Sequence, residues 1–448
     1  MSKLEFKDIC DYIKPADMPE SFIKAYEEWN GEGHVVGEKE MDDILARYSL
    51  TKEQSERLHG FLRQILAAEK LTEYIKFLTW NQCNIRRYDF YVEGDNHFNG
   101  EALGELGQSL EFFMLLSCIA YARIDLENRM IPKELYEQIP YRMLDGIIER
   151  YKELGTLRIL DIPWKLNFFS LSIYLFDRFL FVPCRFDDPY YFYRGEAGDV
   201  IGIARGGLNV DDMGQLIPDE EELADPNGPR NGYYYGRFLD KREISFTTKF
   251  TETSTEISGS RISPCGTITK QTVILSKDKY KKILEKDDWM IGFHIPEGEG
   301  YTPERVRTSM TLAWKFFEKY YPEIPFKGFW SSSWLYDGRL STIIPEDSRI
   351  VKVQRQFFNY SGGWNGESTY YELFGDADIL LDEVPQESSL QKKLAQCLRE
   401  GKRFIDTGMV YFPEELTKDY NKPIYITDED LREQEEMYRA TGWKGGTA

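Results

Sequence analysis

Residues 288–334 read DWMIGFHIPEGEGYTPERVRTSMTLAWKFFEKYYPEIPFKGFWSSSW, and here a strand, a glycine turn, a long helix and a second strand follow one another without interruption. From Trp289 to Ile295 the side chains alternate: Trp289, Ile291, Phe293 and Ile295 share one face, and Met290, Gly292 and His294 the other. Pro296 stops the strand, since it has no N–H for the ladder. Gly298 and Gly300 permit a tight turn, Thr302 is the expected helix cap, and Pro303 suits the first helical position. The helix that follows repeats Val306, Met310, Ala313, Phe317 and Tyr320 on one face, with Arg307, Thr311, Lys315 and Glu318 turned away, so it is expected to pack on a sheet. Its N-terminus presents unpaired N–H groups and the positive end of the helix dipole, which favour a phosphate or carboxylate. An ordinary strand-to-helix turn with nothing bound has the same local signature.

Working outward, residues 1–155 are read as helical. The stretch 51–78 keeps near-helical apolar spacing at Leu58, Phe61, Leu62, Ile65, Leu66, Ile75 and Leu78, with Thr51 as cap. Further helices are expected from Glu101 to Glu127 and from Lys133 to Leu154, the latter closed by Gly155. Gly31, Gly33 and Gly37 mark a loop, which makes the first forty residues an accessory element. Residues 164–186 suit strands, though the first half reads equally as a buried helix. An antiparallel meander is expected after it, interrupted by an inserted surface loop at 218–232. Ser348–Tyr360 reads as a strand with a hairpin partner in the following STYYELFG, and helices are expected at 389–400 and near the C-terminus.

Composition bounds the function. Hydrophobic residues make up 42% and charged residues 29%, as in a globular protein. With 56 Lys and Arg against 76 Asp and Glu, the net charge is −20, which repels nucleic acid and anionic lipid. The most apolar stretches, 112–122 and 166–176, are too short for the roughly 20 residues of a membrane span. Six dispersed cysteines form no C-x-x-C pair, pointing to a reduced cytoplasm, and the four histidines are too scattered to suggest a metal site. An aromatic content of 15% raises carbohydrate stacking as a rival theme.

Several runs resemble bacterial acyltransferase-domain proteins that join a helical N-terminal domain to a GNAT-like, that is acetyltransferase-like, domain. The pieces are I-x-G-x-x-I-x-P-x-G ending at Gly266, H-I-P-x-G from His294 to Gly298, A-x-x-F-F at Ala313–Phe317, S-W-L at Ser333–Leu335, and Ile131–Glu153 in the helical half. The resemblance spans roughly residues 50–358 and implies an α+β protein. An all-α domain at 1–155 would precede a GNAT-like domain at 156–380 with a largely antiparallel central sheet, and a helical extension would occupy 381–448.

The resemblance also implies acyl transfer from acetyl-CoA or another acyl-CoA to a small-molecule amine or peptide. It places the cofactor cradle at Gly298, Gly300, Tyr301 and Thr302, with His294 as candidate base and Tyr336 as candidate acid. Such loops usually carry Arg or Gln before G-x-G; here Pro296 and Glu297 stand there. A catalytically silent binding module is therefore the alternative. Ser331, Ser332 and Ser333 lack a nucleophile elbow and read as strand-end hydrogen bonding. Relatives tend to carry a cysteine where Ser331 stands. Arg305 or Arg307 is the expected local counter-charge to an anionic acyl-CoA.

Overall fold

The computed structural model describes residues 3–15, 18, 20–85, 98–217, 243–362, 367–376, 379–400, 402 and 404–441. The 218–232 loop therefore lies outside the described residues. The architecture is α+β: a helical N-terminal region, then largely antiparallel sheets that include one parallel pair, Trp289–His294 with Phe329–Ser333. The chain divides into two compact units, one built mainly from residues 1–175 and the other mainly from 185–317 and 322–448.

In the first unit, helices Lys52–Ala67 and Glu69–Trp80 pack with Gly104–Asn128. Thr51 caps the first of these: its hydroxyl accepts from the Gln54 N–H while the Gln54 side chain accepts from the Thr51 N–H. Residues 110 and 112–116 of the long helix are fully buried, because this helix runs through the middle of the unit. The first forty residues are not accessory. Phe6, Phe22, Tyr26 and Trp29 all pack on Phe77, joining helices Phe6–Ile13 and Glu20–Glu28 to the core. A Cβ on Gly33 would lie 2.2 Å from the Lys76 carbonyl oxygen, so this glycine marks a close backbone approach. The helix read from Lys133 is broken into a short turn, Lys133–Leu135, and a helix, Tyr141–Leu154. Gly155 closes it with φ 66°.

In the second unit, one sheet is wholly antiparallel in the order Tyr280–Leu284, Tyr190–Gly195, Val200–Ala204, Glu256–Ser263, Phe250–Glu252, with Thr267–Ser276 also on Glu256–Ser263. The other carries the order Trp289–His294, Phe329–Ser333, Thr407–Tyr411, Phe358–Ser361. In it Trp289–His294 and Phe329–Ser333 are parallel and joined through helix Pro303–Tyr320, as a parallel connection requires. That helix buries Val306, Met310, Ala313 and Phe317 as expected, and Phe316 besides.

Two expectations need correction here. Residues 348–357 are not strand: Ser348 caps a helix, Arg349–Gln354, and only Phe358–Ser361 is strand. The proposed hairpin partner is instead helix Glu367–Phe374. In strand Trp289–His294 both faces are covered, since Met290, Ile291, Gly292 and Phe293 are all buried. Residues 164–186 resolve the open choice by splitting into helix Ile162–Phe169 and strands Tyr174–Phe176 and Phe179–Arg185.

Candidate active site

The parallel strands are paired at Ile291–Phe329 and Gly292–Trp330 and in no later register. Beyond that point Phe293 and His294 continue one strand, while Ser331–Ser333 stay paired on their other side with Met409, Gly408 and Thr407. A ligand crevice in an α/β sheet lies outside such carboxyl strand ends, and Ser331, Tyr336 and Tyr301 meet here. The Tyr336 hydroxyl, fully buried, donates to Ser331 Oγ at 3.1 Å. The Tyr301 hydroxyl is buried beside it. Burial first, and the neighbouring Tyr336 hydroxyl second, push the Tyr301 pKa well above the ordinary tyrosine value. Burial likewise raises Tyr336. Both phenols thus hold their protons at neutral pH. Rings close the floor: Phe179 lies 5.0 Å from Phe293 and 6.3 Å from Tyr301, and Phe357 lies 5.6 Å from Tyr336.

His294 is the last residue of its strand. Desolvation lowers its pKa to about 4, so the imidazole is neutral at pH 7. The serine cluster divides its work: Ser331 accepts from Tyr336, and Ser333 Oγ accepts from the Leu335 N–H.

Gly298 and Gly300 have φ of 120° and 97°, conformations that favour glycine. A Cβ on Gly298 would meet open space, whereas one on Gly300 would lie 2.4 Å from Arg305 Nη1. Thr302 caps the helix as expected, its hydroxyl accepting from the Arg305 N–H at 3.3 Å and its carbonyl from the Val306 N–H at 3.0 Å. Of the two expected counter-charges, Arg305 is held by Asp177 in a bidentate pair of 2.7 and 2.6 Å. Arg307 is turned to the Leu416 carbonyl and the Tyr420 ring. Sequence reading missed Arg178, in the two-residue turn between strands Tyr174–Phe176 and Phe179–Arg185. Its guanidinium donates to the carbonyls of Pro296, Gly298 (2.7 Å) and Glu299. Nothing in the local pattern around Arg178 announces this, because the carbonyls it grips lie 118 to 121 positions away. Among the described residues no cluster of His, Cys, Asp or Glu has metal-holding geometry.

Comparison with known proteins bears on the fold that carries these residues. Residues 240–410 match the family described as a GNAT-like C-terminal domain. An acyltransferase solved in complex with decanoyl-CoA aligns with a TM-score of 0.52 at 14% identity, over 92% of this chain and 100% of its own. An acyltransferase in complex with CoA and 10C-teicoplanin aligns at 0.50 with 15% identity, over 91% and 99%. At such identity the likeness establishes the fold. The search of curated proteins finds no match. The stretch that matches the GNAT-like C-terminal domain includes the strand ends, the glycine turn and the helix N-terminus on which the candidate site is built.

Proposed function

We propose that the chain is an acyl-CoA-dependent N-acyltransferase that moves an acyl group from a thioester to the amine of a small molecule or peptide. The observation that carries this reading is the meeting, at the carboxyl ends of the parallel strands in a GNAT-like domain, of a glycine turn, a helix N-terminus and buried hydroxyls. It is supported by the fold shared with acyltransferases that bind decanoyl-CoA or CoA, one of them together with a teicoplanin derivative. In this reading Gly298, Gly300, Tyr301 and Thr302 receive the pyrophosphate through backbone amides and the helix dipole. His294, neutral at pH 7, takes the amine proton as nitrogen attacks the thioester carbon. Tyr336 returns a proton to the departing thiolate, turning its hydroxyl from Ser331 to do so. No side chain forms a covalent bond to the acyl group.

The second reading, a silent ligand-binding module of the same fold, is favoured by Pro296 and Glu297 before the glycine turn and by the net charge of −20. Titration calorimetry with acetyl-, octanoyl- and decanoyl-CoA, followed by transfer assays on an amine panel, separates the two. Binding with turnover is the expected result; no heat and no thermal shift with any of the three would abandon acyl transfer. We place the protein in the cytoplasm on the strength of its six dispersed cysteines, none in a C-x-x-C pair. Among the described residues no helix is long and apolar enough to cross a membrane.

A further inference from the structure

The turn at 296–300 is gripped from behind. Arg178 spends its donors on the carbonyl oxygens of Pro296, Gly298 and Glu299. All peptide bonds here are trans, so the N–H of each of these peptide units points opposite to its carbonyl. The N–H groups of Glu297, Glu299 and Gly300 therefore face away from Arg178, and among the described residues none of the three donates to a protein acceptor. Successive unpaired N–H groups of this kind make an anion-binding concavity. Two guanidiniums stand at the turn. Arg305 is neutralised by Asp177, but among the described residues no carboxylate forms an ion pair with Arg178, although Glu297, Glu299 and Glu304 stand exposed nearby. In a chain of net charge −20, these two guanidiniums offset part of the negative charge that Asp177, Glu297, Glu299 and Glu304 bring to the turn.

We propose that Arg178 is the positioning residue of the anion site: by holding three carbonyls it presents the N–H groups of Glu297, Glu299 and Gly300 to the diphosphate of a CoA-type ligand. It thereby does, from a turn about 120 residues earlier in the chain, what an Arg or Gln within the loop does in similar sequences. The inference rests on the acyl-CoA reading above and deepens it. It also explains how Pro296 and Glu297 are tolerated before the turn, since the shaping group comes from outside it.

The test uses the full chain and two acyl donors, one with phosphates and one without. In Arg178→Met, CoA affinity measured by calorimetry should fall by roughly 10- to 100-fold, the scale of charge-assisted hydrogen bonds. kcat/KM with S-acetyl-N-acetylcysteamine, which has no phosphate, should stay within about twofold of wild type. Arg178→Lys should recover part of the CoA affinity, because the charge returns without the planar fork. Unchanged CoA affinity in R178M at matched melting temperature, or equal losses on both donors, would overturn the proposal. Asp177→Asn covers the case in which R178M does not fold: it breaks the Arg305 pair, leaves the carbonyl grip in place, and should keep CoA affinity within about threefold. A tenfold loss there would assign the turn's shape to the whole Asp177–Arg178 corner and not to Arg178. Wild-type protein that neither binds CoA nor uses either donor would defeat the acyltransferase reading itself, a separate outcome.

Discussion

His294 shows what a sequence can and cannot say about one residue. Its place at a strand end beside a glycine turn follows from Pro296 and the alternation before it. Its acidity does not, because desolvation depends on neighbours brought from elsewhere in the chain. An exposed imidazole would titrate near 6.5; burial puts this one at about 4. The acid limb of the wild-type rate should therefore not appear near pH 6.5 but only on approach to about pH 4. His294→Gln should lose that limb and about 10²- to 10⁴-fold in turnover at an almost unchanged melting temperature. Stability follows with a definite sign. Between about pH 6.5 and pH 4 the unfolded chain binds a proton at this histidine that the folded chain refuses, so stability falls as pH drops through that window. H294Q should flatten this part of the stability curve, measured by urea unfolding at several pH values. A wild-type rate that halves at pH 6.5 would remove the desolvated imidazole from the mechanism.

At the scale of elements, the strand-turn-helix-strand unit was legible because its signals are local: Pro296 ends a strand, Thr302 and Pro303 start a helix, and the apolar spacing then keeps its period. The stretch after it misled. Ile350, Val351 and Val353 have strand character, and what makes them helical is the Ser348 cap together with the tertiary role of Arg355. The carbonyl of Arg355 accepts from the amides of Ile424 and Tyr425. Its guanidinium donates to the Ile426 carbonyl at 3.1 Å and to Glu346 at 2.7 Å, and pairs with Asp428. A single residue at the end of a short helix thus ties down the segment leading into the C-terminal helix, Asp428–Thr441. Arg355→Ala should leave the Ile426 carbonyl unpaired and cost about 1–3 kcal/mol. Hydrogen exchange should quicken from 424 to 441 before it changes in strand Trp289–His294. Uniform acceleration across both segments would mean that the extension is no separate opening unit.

For the whole molecule the decisive quantity is charge, which is fully legible in the sequence, set against a local arrangement that is not. A net charge of −20 opposes the approach of any polyanion, while Arg178 and Arg305 bring two guanidiniums to the glycine turn. The two effects differ in range and are separated by salt. At about 10 mM ionic strength the Debye length is roughly 30 Å, so an incoming ligand meets the field of the whole chain; at 0.15 M it is about 8 Å, and only the groups around the turn are felt. The association rate of an acyl-CoA should therefore rise with salt over this range, the reverse of ordinary electrostatic steering. Its dissociation rate should rise as well, because the contacts at the turn are themselves charge-assisted. Stopped-flow measurements on wild type and R178M resolve the two. The wild-type association rate should climb by severalfold while the variant shows the same climb from a similar starting value, since Arg178 acts after encounter. An association rate that falls steadily with salt would mean that Arg178 and Arg305 govern approach, and that the acidic charge lies on surfaces the ligand never meets.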